Sequence, residues 1–386
     1  MSHGHGPAPE QEIVERGRRV IDGRDVTPAV GRRGEPGRWR RALEGAGVRG
    51  FKPGFEDARW SFLYRAGDTR YASGAEVDGE VRDAARRMRG GREVPVPVTG
   101  PVIRPNVWTW EVPVYFWFGG IATGASFSAL ACVLAGDERS ARVARMVAVG
   151  AAGAGGPLLI MDLGRPERFL HMFRIFKLRS PMSTGAWCLG AFSACGGGAV
   201  AADLLGRRGA ARGLTAATAV FGTYLGSYTG VLLASTAVPA WHQSRRFIAP
   251  IFICTASASG AAATRLALTA TGSGRVDPTR AGLAALETAA MTAELALSAA
   301  NERRLGSARR ALEHGRPGRL LRAARALTVG GLVLRLAGRR AGPLGDQVPS
   351  AVFLGAALAY RLGWVAAGRP SALDHEAVAE FAREPR

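Results

Sequence analysis

The chain has 386 residues and a formal charge of +20, with 51 Lys and Arg against 31 Asp and Glu. Its arginines crowd into the N-terminal region and into short loops between apolar runs, a pattern that argues against a nucleic-acid partner and for topology determinants and anionic lipid. The first 20 residues lack the apolar centre of a signal peptide, and a mean hydropathy near zero averages two unlike parts.

Residues 1–105 form a basic soluble extension rich in Arg, Gly, Glu and Asp. It holds an aromatic island, Trp60-Ser-Phe-Leu-Tyr64, and an acidic–basic, helix-like piece at 76–90. Pro95, Pro97, Pro101 and Pro105 then make an extended linker. Two readings fit the extension: an arm partly ordered on a partner, or a mostly disordered tail. From Val112 the chain becomes a series of apolar runs, each long enough for a ~30 Å hydrocarbon core. Spans are predicted at 112–135, 144–163, 183–205, 214–238, 247–270, 281–301, 320–338 and 350–367. The fold class is therefore an all-α membrane protein: a bundle of eight transmembrane helices over 106–370, with a soluble, partly disordered N-terminal extension and a short tail at 371–386. An even number of spans puts both termini on one side. Loops on that side carry the larger share of Lys and Arg, notably Arg165, Arg168, Arg174, Lys177 and Arg179. This bias predicts cytoplasmic termini in a plasma membrane.

The approach to the first span reads Trp108-Thr-Trp-Glu-Val-Pro-Val-Tyr-Phe-Trp117. Tryptophans favour the membrane interface, so Trp108, Trp110 and Trp117 mark a boundary. Glu111 and Tyr115, four apart, share one helical face. They are either an aromatic belt with one exposed acid or the door of a functional site. The second span ends Met161-Asp-Leu-Gly-Arg-Pro-Glu-Arg-Phe-Leu-His171. Asp162, Arg165, Arg168 and His171 make either a helix end fixed by an ion pair or a polar pocket able to move protons. In the fourth span Tyr224 and Tyr228 again lie four apart, and Trp241-His242 follow its end. Counting spans places Glu111, Tyr115, Asp162, Arg165, Arg168, His171 and His242 near one membrane surface, with Tyr228 deeper along the path to it.

In the sixth span Glu287, Glu294 and Asn301 recur at intervals of seven, which gives one face over four turns. Carboxylates in a span are costly unless paired or wet. Arg265, Arg335 and Arg361 are candidate partners for a structural ion pair, and a proton path is the alternative. The four cysteines lie singly within spans, so neither an iron–sulfur cluster nor a zinc site is expected, and no metal or haem.

At these motifs the chain resembles the NrfD / polysulfide reductase membrane-subunit family. The likeness rests on Trp110-Glu-Val-Pro-Val-Tyr115, Gly119-Gly-Ile-Ala-Thr-Gly124, Asp162-Leu-Gly-Arg-Pro-Glu-Arg-Phe169 and Tyr228-Thr-Gly-Val-Leu-Leu233, and spans about 106–370. It implies a quinone-reactive membrane anchor passing electrons between the menaquinone or ubiquinone pool and an iron–sulfur subunit, beside a molybdopterin catalytic subunit. The head-group candidates it implies are Glu111, Tyr115, Asp162, Arg165 and Tyr228. Some relatives carry Asn and His where this chain has Val112 and Tyr115, so its hydrogen-bonding scheme differs. Proton translocation through Glu287, Glu294 and Asn301 is an added expectation. A secondary transporter or ion channel lined by the charged spans is the competing reading.

Overall fold

The computed structural model describes the strands between 13 and 25, residue 103, and residues 108–162, 166–174, 176–178, 180–272, 278–337, 346–374, 376–378 and 381. The chain divides into two units, Met1–Gly100 and Pro101–Arg386. In the first, β1 (Ile13–Glu15), β2 (Arg18–Ile21) and β3 (Arg24–Asp25) pair antiparallel in that order. These strands were not anticipated, although Gly17 and the hairpin signal Asp22-Gly23 stand between them, because the strands are only two to four residues long and rich in charge. The aromatic island at 60–64, the piece at 76–90 and the proline linker lie outside the described residues.

The described part of the second unit is helical. Its long helices are α1 (Glu111–Leu134), α2 (Glu138–Asp162), α3 (Pro181–Leu204), α4 (Arg208–Ala234), α5 (Ile248–Ala270), α6 (Pro278–Glu302), α7 (Gly315–Ala337) and α8 (Val348–Leu373). Six are long and apolar enough to cross a membrane, namely all but α4 and α7. The protein is thus a multi-pass membrane protein. The two exceptions have distinct causes. Helix α7 carries Arg322, Arg325 and Arg335. Helix α4 is rich in hydroxyls, but Thr215, Thr218, Thr223 and Ser227 each donate to a carbonyl three or four residues back, which lowers the cost of placing them in an apolar medium.

Several helices begin earlier than their apolar runs. Pro181 starts α3 behind Ser180, whose hydroxyl caps Ser183 N–H, and proline suits a first turn whose donors are unpaired anyway. Short connections alternate the helix directions. One end of the bundle therefore holds Glu111, Asp162, Pro181, Ala234, Ile248 and Glu302, and the other holds Leu134, Glu138, Leu204, Arg208 and Ala270.

Helices α1 and α5 are central: each buries more than half of its apolar window, against 22% for α2. They cross where a Cβ on Gly124 would sit 1.9 Å from the Ala256 carbonyl oxygen and one on Gly260 would sit 2.0 Å from Ala125 N. Only glycine permits that approach, and close backbone packing is the attraction available where lipid removes a hydrophobic drive. At the α1 end, Val112, Phe116, Trp241, Ile248, Phe252, Tyr360 and Trp364 make the main core. At the other end, buried Arg145 pairs with Asp203 and donates through Nε to Thr215 Oγ1 at 2.6 Å, joining α2, α3 and α4.

Candidate functional site

Glu111 opens α1 and is 1% exposed, accepting from the Thr109 hydroxyl. A carboxylate in a first helical turn also meets the positive end of the helix dipole. The tryptophans around it do not form a simple belt. Trp108 stacks on Trp241 at 5.6 Å and 20°, Trp117 donates its ring N–H to the Leu354 carbonyl at 3.1 Å, and only Trp110 stands well exposed. Indoles whose faces or donors find partners inside are drawn inward.

Tyr115 is turned toward α2, α3 and α4. A Cβ at Gly155 of α2 would lie 3.4 Å from its ring. Cys188 of α3 and Tyr228 of α4 are within its electrostatic reach. Tyr228 is 7% exposed and stacks on Tyr224 at 6.0 Å and 26°. Its ring lies over Gly185 of α3, where a Cβ would be 2.2 Å from Cζ and 2.7 Å from the hydroxyl oxygen. The Tyr224 hydroxyl shares a 2.6 Å hydrogen bond with Thr184 Oγ1. The Tyr228 hydroxyl, by contrast, has no hydrogen-bond partner among the described residues. The four-residue spacing of Tyr224 and Tyr228 was legible. Their seat on Thr184-Gly185 was not, because it depends on how α3 and α4 approach.

Asp162 closes α2 at the same end and is half-buried. Arg165, and the side chain of Arg168, lie outside the described residues. A 3-10 helix, Pro166–Phe173, follows, and Phe173 meets Trp187 of α3 edge-on at 5.7 Å. His171 on this helix is exposed. His242 sits on a short helix, Pro239–Gln243, half-buried against Phe381 at 4.9 Å. That helix is tied to α8 through Ala240 N–H and Ser371 Oγ at 3.0 Å, so His242 belongs with the C-terminal segment rather than with the phenols.

The three polar residues of α6 have different partners. Glu287 is fully buried and meets Arg265 at 3.2 Å, Arg335, and Ser350 Oγ at 2.9 Å. Asp346 completes the set, 2.5 Å from Arg265 and 3.2 Å from Arg335. Two carboxylates thus balance two guanidiniums. Glu294, 3% exposed, accepts from Ser298 Oγ at 2.7 Å, and Ser298 bonds the Tyr360 hydroxyl at 2.8 Å. A cavity of ≈ 20 Å³ lies among Glu294, Ser298, Asn301, Glu302, Arg325 and Tyr360. That is about the room one water needs. Asn301 donates to Ser244 Oγ at 3.0 Å, while its Oδ1 is buried without a partner.

Arg361 departs from expectation. It pairs with neither glutamate. Its guanidinium, 2% exposed, donates to Thr229 Oγ1 at 3.2 Å, Thr255 Oγ1 at 3.0 Å and the Phe252 carbonyl at 3.0 Å, over the Phe252 ring at 3.7 Å. Neutral oxygens and a ring face can hold an arginine in place of a carboxylate, and they leave its charge uncancelled. Thr229 follows Tyr228 in the chain, but successive side chains on a helix point about 100° apart, so Tyr228 faces Gly185 of α3 while Thr229 faces Arg361 of α8. A lone arginine in an apolar run was the signal, but only the fold assigns it to Thr229. Among the described residues no three His, Cys, Asp or Glu gather as a metal site.

The family model for polysulphide reductase, NrfD, matches residues 102–195 and 199–300, just over half of the chain. The C subunit of polysulfide reductase from Wolinella succinogenes is 33% identical over 92 residues, which is 22% of this chain and 29% of that protein. The likeness to that relative thus spans under a third of its length. The family match includes the phenols, Asp162 and both α6 glutamates, and ends before Arg335 and Arg361.

Proposed function

This chain belongs to the polysulphide reductase NrfD family, and from that premise we propose that it is a quinone-reactive membrane anchor of a multisubunit oxidoreductase. It exchanges electrons between the menaquinone or ubiquinone pool and an iron–sulfur subunit that adjoins a molybdopterin catalytic subunit. All eight long helices cross the plasma membrane, with both termini cytoplasmic. The observation that carries the reading is the Tyr228 hydroxyl, left without a partner among the described residues, beside Tyr115 and Tyr224. A phenol donates to a quinone carbonyl and steadies the charge that builds on it as electrons arrive. Asp162, at the same end, relays protons from the aqueous surface. The positive loop around Arg165 and Arg168 docks the iron–sulfur partner.

The test is quinone-linked turnover of the intact complex carrying Tyr228→Phe or Asp162→Asn. Turnover is expected to fall by about 100-fold or more, of the order assigned to a positioned acid–base group. Assembly and thermal midpoint should be unchanged. Full turnover in both variants would remove the site.

A proton path through α6 is the second part of the proposal, supported by Glu294 beside a water-sized cavity and by the Ser298–Tyr360 link. Glu294→Gln should abolish pH changes in vesicles while quinone turnover continues. Normal pH changes with that variant would restrict α6 to a structural role.

A further inference from the structure

A second site lies at the α1 end of the bundle, away from the phenols. Gln243, Arg245, Arg246 and Phe247, which lead from the short helix into α5, face Arg304 beyond the end of α6 across an open cavity of ≈ 180 Å³. Other arginines of this end are matched: Arg309 with Glu313 at 2.6 Å, Arg310 with Glu376 at 2.6 Å, and Arg325 with Glu302; Arg303, next to Arg304, is exposed but does not line the cavity. Arg245, Arg246 and Arg304 have no carboxylate partner among the described residues, and no acid lines the cavity. Three exposed like charges around one concavity give it a positive field that favours an anion between them.

The geometry narrows the anion. Arg304 is steadied over the Phe247 ring at 5.8 Å, so its charge is fixed at the wall. Local backbone donors are already engaged: Phe247 N–H and Ile248 N–H both bond the Ser244 carbonyl at 2.9 Å. Recognition therefore falls to guanidinium forks, which match the oxygens of a phosphate. The positive end of α5, a 23-residue helix, adds to the field. Below the cavity the outer surfaces of α5 and α6 expose Pro250, Ala293, Ala296 and Ala299, an apolar slope on which acyl chains can lie. An acidic protein surface would have no use for that slope.

We propose that this cavity binds the headgroup phosphate of an anionic phospholipid in the leaflet at the α1 end. The inference is independent of the quinone reading.

The test uses the full-length protein, delipidated in uncharged detergent, with binding measured by native mass spectrometry and thermal shift. The probes are phosphatidylglycerol, phosphatidylcholine and inorganic phosphate. Phosphatidylglycerol should bind and raise the midpoint, and phosphatidylcholine should not. The triple variant Arg245→Gln, Arg246→Gln, Arg304→Gln should bind it about a hundred-fold more weakly, from roughly five-fold per basic residue near an anionic surface. The control triple Arg139→Gln, Arg207→Gln, Arg208→Gln, exposed at the opposite end, should bind as the wild type does. Equal binding by wild type and the first triple, or equal loss in both triples, would overturn the proposal. Inorganic phosphate displacing the lipid at comparable concentration would reassign the site to a free anion. Unchanged lipid binding with loss of a co-purifying iron–sulfur subunit would reassign it to protein docking.

Discussion

The phenol cluster of α1, α3 and α4 and the charged cluster of α5 to α8 bury polar groups by opposite means. Around Glu287 each carboxylate oxygen meets a donor, two guanidiniums meet two acids, and Ser350 bridges them. Of its donors only the Nε groups of Arg265 and Arg335 are left over, and every charge is matched, so the cluster acts as a brace. Around Tyr228 one hydroxyl bond, Tyr224 to Thr184, fixes the platform, and the next hydroxyl is left over. A set of matched charges resists ligands and an unshared phenol invites them, so what separates the two regions is charge matching.

The widest gap between the regions should appear on Glu287→Gln. It leaves Arg265 and Arg335 facing a neutral amide in the interior, and stability should fall by about 3–5 kcal/mol in detergent denaturation. A loss below about 1 kcal/mol would mean that the brace is open to water. Gly185→Ala strikes the other region. The new methyl meets the Tyr228 ring, so a loss of about 1–3 kcal/mol is expected, together with loss of quinone-linked turnover in the assembled complex. At Gly197, where a Cβ meets nothing, the same exchange should gain about 0.5–1 kcal/mol and leave turnover intact. Equal turnover in the two variants would detach Tyr228 from the chemistry.

The smallest effect concerns a turn serving both regions. Asp137 accepts from Ser140 N–H at 3.0 Å and from Thr279 Oγ1 at 2.7 Å, joining the start of α2 to the start of α6. Partial burial alone would raise its pKa, but these hydrogen bonds outweigh it and hold the carboxyl below its ordinary value. A depressed folded value means that the stability is present above about pH 4 and is lost as pH falls through the lower folded pKa. Asp137→Asn should remove that part of the pH profile, at a cost of about 1 kcal/mol or less at pH 7. An unaltered profile would show that the turn does not couple the regions.

The helices were legible because lipid-facing and core-facing positions are both apolar, so windows find them. α1 differs from its apolar run by one residue at each end, while α4 begins six residues before position 214 because hydropathy does not register a polar first turn. Tyr115 and Tyr228 could be named from spacing and side. Arg361 could not be assigned, since its partners Thr229, Phe252 and Thr255 come from two other helices. His242 was expected with the phenols on the strength of its side of the membrane. Side fixes depth but not azimuth, and Phe381 claims it.

The crossing of Gly124 with Gly260 has a consequence for biosynthesis. Helix α1 must wait for a mate 136 residues later in the chain. At about 5–20 residues per second that delay is roughly 7–27 s. During it, the glycine-lined groove of α1 faces lipid or whatever the insertion machinery provides. The nascent protein is thus most open to wrong pairing between the emergence of α1 and that of α5, and a chaperone that shelters small-residue grooves would act there.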